Sequence, residues 1–117
     1  MLTTTNVFLQ RLLALRDEGF AQAERMQAEG RLDFGSYRTC LACAWCETDT
    51  AQQDGWRKTS DGFPRRENHT NATRSVCEYF DIDERDQWPW LFGVGPTLAY
   101  RRAYLDTLIA ERLGVTA

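Results

Sequence analysis

The chain has 117 residues, 43% of them hydrophobic and 26% charged, with a net charge of −3 and a pI near 5.1. That balance excludes disordered and fibrous classes, and the length suits one hydrophobic core that needs no staples. Its apolar runs fall far short of the roughly 20 residues a membrane span requires. The expectation is one soluble domain over residues 1–117, with no membrane association. The N-terminus lacks a basic n-region, so the expected location is cytoplasmic.

From residue 6 to residue 28 apolar side chains recur at steps of three and four: Phe8, Leu12, Leu15, Gly19, Ala23 and Met26, widened by Leu9, Leu13 and Phe20. This period predicts a long amphipathic helix. Thr3 or Thr5 is the expected N-cap, and Gly30 the residue that ends it in a left-handed conformation. After a turn at 30–35, Ser36 can cap a second helix over Tyr37 to Thr48.

Between Asp49 and His69 the apolar period disappears, and Gly55, Gly62 and Pro64 interrupt the pattern. A loop or short hairpin around Ser60, Asp61 and Gly62 is expected, anchored by Trp56 and Phe63. Connections this long are uncommon in small domains unless they carry function. Trp56, Arg57, Lys58, Phe63, Arg65 and Arg66 are therefore the candidate partner-binding loop. Aromatics interleaved with cations also fit a single-strand nucleic-acid binder. Asp54, Asp61 and Glu67 weaken that field, and a duplex-binding surface needs denser Lys and Arg than this acidic chain supplies. Nucleic acid is not the expected partner.

A third helix is expected over Ala72 to Phe80, capped by Asn71, with Val76, Cys77 and Phe80 turned inward. A short helix near Asp83 follows, then a break at Gly93, Gly95 and Pro96. The last helix should run from Leu98 to Leu113, opened by Pro96 or Thr97, burying Tyr104, Leu105, Leu108 and Ile109, and closed by Gly114. The expected fold is all-α: a single compact domain of four to five helices, with a small β-hairpin between the second and third.

Cys40, Cys43 and Cys46 stand at a spacing of three, and Cys77 and His69 complete a set with metal-ligand chemistry. In a helix, steps of three advance 300°, so the three thiols drift apart around the axis. The second C-x-x-C or H-x3-H half of a zinc site is missing, as are the glycines that wrap an iron–sulfur cluster. Leu41, Ala42, Ala44 and Trp45 are helix formers or core residues, and free Cys behaves as a small hydrophobe. The cysteines are read as packing groups, with no cofactor expected and a cysteine-ligated zinc or iron–sulfur domain as the alternative. One His and no nucleophile motif leave no catalytic set, so no enzyme is expected.

The segments Leu32-Asp33-Phe34, Cys43-Ala44-Trp45-Cys46-Glu47, Tyr79-Phe80-Asp81-Ile82-Asp83 and Leu91-Phe92 resemble, in that order, a group of small uncharacterised bacterial helical proteins. Those carry F-D, C-A-x-G-E or C-x-x-G-W, and Leu-Phe segments, and Cys46 stands where the pattern has glycine. The resemblance implies a helical fold and a packing role for Cys43, and supplies no catalytic residue. The expected function is a small non-enzymatic protein-binding or regulatory module, such as an accessory or inhibitor protein of a phage or mobile element. Its protein partner is unknown. Apolar stripes on the first and last helices, the latter with Tyr100, Tyr104, Leu108 and Ile109, add the expectation of a homodimer.

Overall fold

The computed structural model describes residues 6–32, 41–58, 64–66, 72–83 and 97–114. Helix α1, Val7–Ala14, is capped by Asn6, whose side-chain oxygen accepts from the amides of Phe8 and Leu9 at 3.0 and 3.2 Å. Asn6 does the work expected of Thr3 or Thr5, which lie outside the described residues. The helix does not stop at Ala14. It passes through a π-helical turn, Leu15–Gly19, into α2, Phe20–Ala28, with the amide of Phe20 donating to the Leu15 carbonyl. The turn inserts one residue, and the buried apolar side chains Leu9, Leu12, Leu15, Phe20, Ala23, Met26 take a step of five there where the others are of three, with buried Gly19 between Leu15 and Phe20. Gly30 has φ +76°, and the amides of Gly30 and Arg31 donate to the carbonyls of Gln27 and Met26. This paired closure is a Schellman motif, which only a left-handed residue permits without strain.

Helix α3, Leu41–Cys46, is buried along nearly its whole surface: only Cys43 is partly open. It lies against the π-turn and α2 on one side and the hairpin on the other. Gly19 lies at that contact. A Cβ there would stand 2.7 Å from Leu15 Cδ1 and 3.5 Å from Trp45 Cε3. The stretch after α3 differs from the expected loop. Thr48 accepts from the amide of Ala51 and donates its hydroxyl to the Trp45 carbonyl, and a short helix α4, Asp49–Gln53, follows with Ala51 buried. A five-residue helix with one buried side chain leaves no period to detect.

Strands β1, Trp56–Lys58, and β2, Pro64–Arg66, pair antiparallel in the register Trp56 to Arg66, Arg57 to Arg65 and Lys58 to Pro64. The hairpin flanks the expected turn, whose tip at 60–62 lies outside the described residues with Phe63. Helix α5, Ala72–Phe80, turns Ser75, Val76, Tyr79 and Phe80 inward. Cys77 is only half-buried, so Tyr79 takes the place expected of it. Its C-terminus is closed by Asp81 in the left-handed region at φ +55°. The carbonyls of Phe80 and Asp81 both accept from the Arg112 guanidinium, a cation placed at the negative end of a helix.

Helix α6, Leu98–Arg112, starts at Thr97, whose hydroxyl accepts from the amide of Tyr100 at 3.1 Å, and Gly114 follows it at φ +76°. It buries Arg101, Leu105 and Ile109. Tyr104 and Leu108, expected inside, are half-buried. Helix α6 packs on α1, and α1 also packs on α5, so the stripe of the first helix is covered within one chain. The surplus expected to drive dimerisation is therefore smaller than the sequence suggested: among the described residues the exposed large apolar side chains are Val7 and Tyr100. Helix accounts for 72% of the described residues, with one small antiparallel hairpin among them. No described helix is long and apolar enough to cross a membrane.

Candidate functional site

The hairpin residues turn back onto their own fold. Trp56 is fully buried and meets Tyr79 edge-on at 5.3 Å, while Tyr79 meets Phe80 edge-on at 4.8 Å and Trp45 lies 5.8 Å from Phe80. As a stacking platform for bases Trp56 is thus corrected; as an anchor it performs as expected. Arg57 Nη1 donates to the carbonyls of Gln52 and Trp56 at 2.9 and 2.6 Å. Lys58 Nζ reaches Glu47 at 2.6 Å. Arg66 donates from Nε to the Asp54 carbonyl at 3.1 Å, and its guanidinium lies 5.1 Å over the Tyr79 ring. Arg65 is half-buried opposite Arg57. Phe63 lies outside the described residues.

Two polar junctions hold these elements. The Tyr79 hydroxyl donates to Asp54 Oδ2 at 2.6 Å, and the Arg11 guanidinium covers the same ring at 4.1 Å while donating to the Tyr79 carbonyl at 2.9 Å. Burial, and then the bond to Asp54, push the phenol well above its usual range. At the second junction Glu47 accepts from Arg31 at 2.5 Å, Lys58 at 2.6 Å and Gln22 at 3.2 Å. Burial raises the Glu47 carboxyl, but the bonds from Lys58 and Arg31 outweigh it and hold the group below the usual carboxylate value. Sequence separation hides both junctions.

Cys43 is half-buried, Cys46 buried and Cys77 half-buried, and none of the three is in a disulfide bond. Burial pushes the Cys46 thiol up to about 11, which disfavours the thiolate a metal or a redox partner would need. Cys40 and His69 lie outside the described residues. Among the described residues no three His, Cys, Asp or Glu side chains gather closely enough to hold a metal ion.

A different surface is concave. A groove of about 610 Å³ runs between the end of α5 and one face of α6. Asp81, Ile82 and Asp83 form one wall; Tyr100, Ala103, Tyr104, Thr107, Leu108 and Glu111 form the other, a helical stripe at steps of three and four. Arg112 closes the end beside Asp81. Tyr100 keeps 53% of its surface exposed, Tyr104 and Leu108 are half-buried, and Asp81, Asp83 and Glu111 are exposed. Tyr104, Leu108 and the buried Ile82 supply its apolar surface, and the exposed Asp81, Asp83 and Glu111 its acidic groups. The sequence marks the tyrosines and Leu108 as an apolar stripe, but it does not bring Asp81 and Asp83 against them.

No protein-family model, no curated protein and no solved structure matches the chain.

Proposed function

We propose that the chain is a non-enzymatic protein-binding module that receives its partner in the groove between α5 and α6, acting as an accessory or inhibitory protein. The observation that carries this reading is Tyr100, an exposed large aromatic at the mouth of a groove that also offers Tyr104 and Leu108. The volume falls in the range of roughly 300 to 1,000 Å³ that ligand-sized sites occupy. Aromatic side chains with a polar tip are enriched where proteins meet. The nucleic-acid alternative draws less support, because the cations it would use are engaged within the fold: Arg57, Lys58 and Arg66 as above, and Arg102 on Glu24 and over the Phe20 ring. Peptides selected from a random library on the folded chain test the reading. Binding that weakens about tenfold in Tyr100→Ala and is unchanged in Val7→Ala supports it, since tenfold is the effect of one good anchor. Selected peptides indifferent to Tyr100 sink it.

A further inference from the structure

We infer that the partner segment seated in this groove is a cationic amphipathic peptide, with apolar anchors on Tyr100, Tyr104 and Leu108 and Lys or Arg side chains over the acidic rim. The inference rests on the docking reading above and adds the chemistry of the occupant. Among the described residues the carboxylates Asp81, Asp83 and Glu111 border the groove, and all are exposed. Among the described residues the cation at its edge is Arg112, which donates to the carbonyls of Phe80 and Asp81 and pairs with the Asp81 carboxylate at 3.9 Å, so Asp83 and Glu111 are the rim carboxylates it leaves unbalanced. An acidic or neutral segment would leave the carboxylates uncompensated, whereas a basic one meets opposite charge along its length.

Length agrees with this occupant. From Tyr100 to Glu111 the wall extends along about three helical turns, or roughly 16 Å at 1.5 Å per residue. A partner helix of similar length would present anchors at i, i+3 or i+4, and i+7, the usual pattern for a helix in a groove. A second copy is the poorer occupant. Two-fold pairing places the same patch on both subunits, so two sets of Asp81, Asp83 and Glu111 would be brought into one interface by a chain already at −3.

The experiment uses the full chain and two fluorescein-labelled 14-residue helical peptides, one of Leu and Lys, the other of Leu and Glu in the same order. Anisotropy gives the affinities at low and high salt, and backbone amide shifts of the labelled protein locate each peptide. The expected result is that the Leu/Lys peptide binds, shifts the amides of residues 100–111, and weakens at high salt. The double variant Asp83→Asn, Glu111→Gln, both exposed and distant from the core, should lose about three- to tenfold of that affinity while the fold is unchanged. Equal affinity for both peptides, or an unchanged affinity in the double variant, overturns the charge assignment and leaves the docking reading standing. If neither peptide shifts the α6 amides, the docking reading falls and the inference falls with it. A mass near 27 kDa, about twice that of the chain, with the same amides protected makes a second copy the occupant and also overturns it.

Discussion

The hydroxyl of Tyr79 donates to Asp54 Oδ2 at 2.6 Å, tying α5 to the turn that precedes the hairpin. Replacing Tyr79 by Phe keeps the ring, its edge-on contacts with Trp56 and Phe80, and the Arg11 guanidinium above it. Only the hydrogen bond goes. Bonds to charged acceptors contribute about 1.5 to 3 kcal/mol, and Asp54 is 45% exposed, so water recovers part. Tyr79→Phe should cost about 1 kcal/mol in urea unfolding, with the transition slope unchanged.

Stability should fall on the alkaline side. The Cys46 thiol titrates near 9.0 when unfolded and near 11 when folded. Between those values the unfolded chain has released the proton and the folded chain has kept it, so stability is full below about pH 9 and declines as pH rises toward 11. The loss is about 2 to 3 kcal/mol at 1.36 kcal/mol per unit. Tyr79, also raised, extends the decline above pH 10. Urea midpoints at pH 8 and pH 11 measure it, and Cys46→Ala should flatten the first part of the curve.

Glu47 joins the end of α3 to Arg31 beyond α2 and to Lys58 on β1. Its carboxyl is held below the usual value, so its contribution is present above about pH 4.5 and is lost as pH falls through the lower folded value. Glu47→Gln should cost about 1 kcal/mol at neutral pH, because the partners are partly exposed and screening limits each pair. The variant should also be less sensitive to acid and to added salt than the parent, which unfolding at pH 3 and at high salt would measure.

Gly19 sits where the first long helix meets Trp45. Leucine at this position has no room: its first carbon already falls inside the contact distance of Leu15 Cδ1. Gly19→Leu should destabilise by about 2 to 3 kcal/mol and displace Trp45, seen as a change in near-ultraviolet circular dichroism. Gly19→Ala sets the usual helix gain of about 1 kcal/mol against a shift of the Leu15 side chain, and should fall within about 1 kcal/mol of the parent.

Long elements were legible. The first and last helices, Gly30 and Gly114 as stops, and Ala72 to Phe80 all follow from periodicity and caps, because these signals are local. The π-turn leaves a trace in the apolar side chains, the step of five from Leu15 to Phe20, while Gly19 between them is buried as the stripe expects. Trp56 was legible as an anchor from its type alone, since its three-residue strand carries no alternation among cationic neighbours. Asp54 and Tyr79, or Asp81 and Tyr100, lie too far apart in sequence for any local pattern to join them. The hairpin stands out in the sequence as an aromatic and cationic stretch, and the groove only as its tyrosine half.

The contact between α1 and α6 has a bearing on synthesis. Helix α1 emerges well before α6, so its buried Leu9 and Leu12 wait for the part of their cover that carries Leu105 and Ile109. At about 5 to 20 residues per second, the nascent chain carries that open apolar face for roughly 4 to 17 s. Translation arrested before α6 would leave this part of the core uncovered.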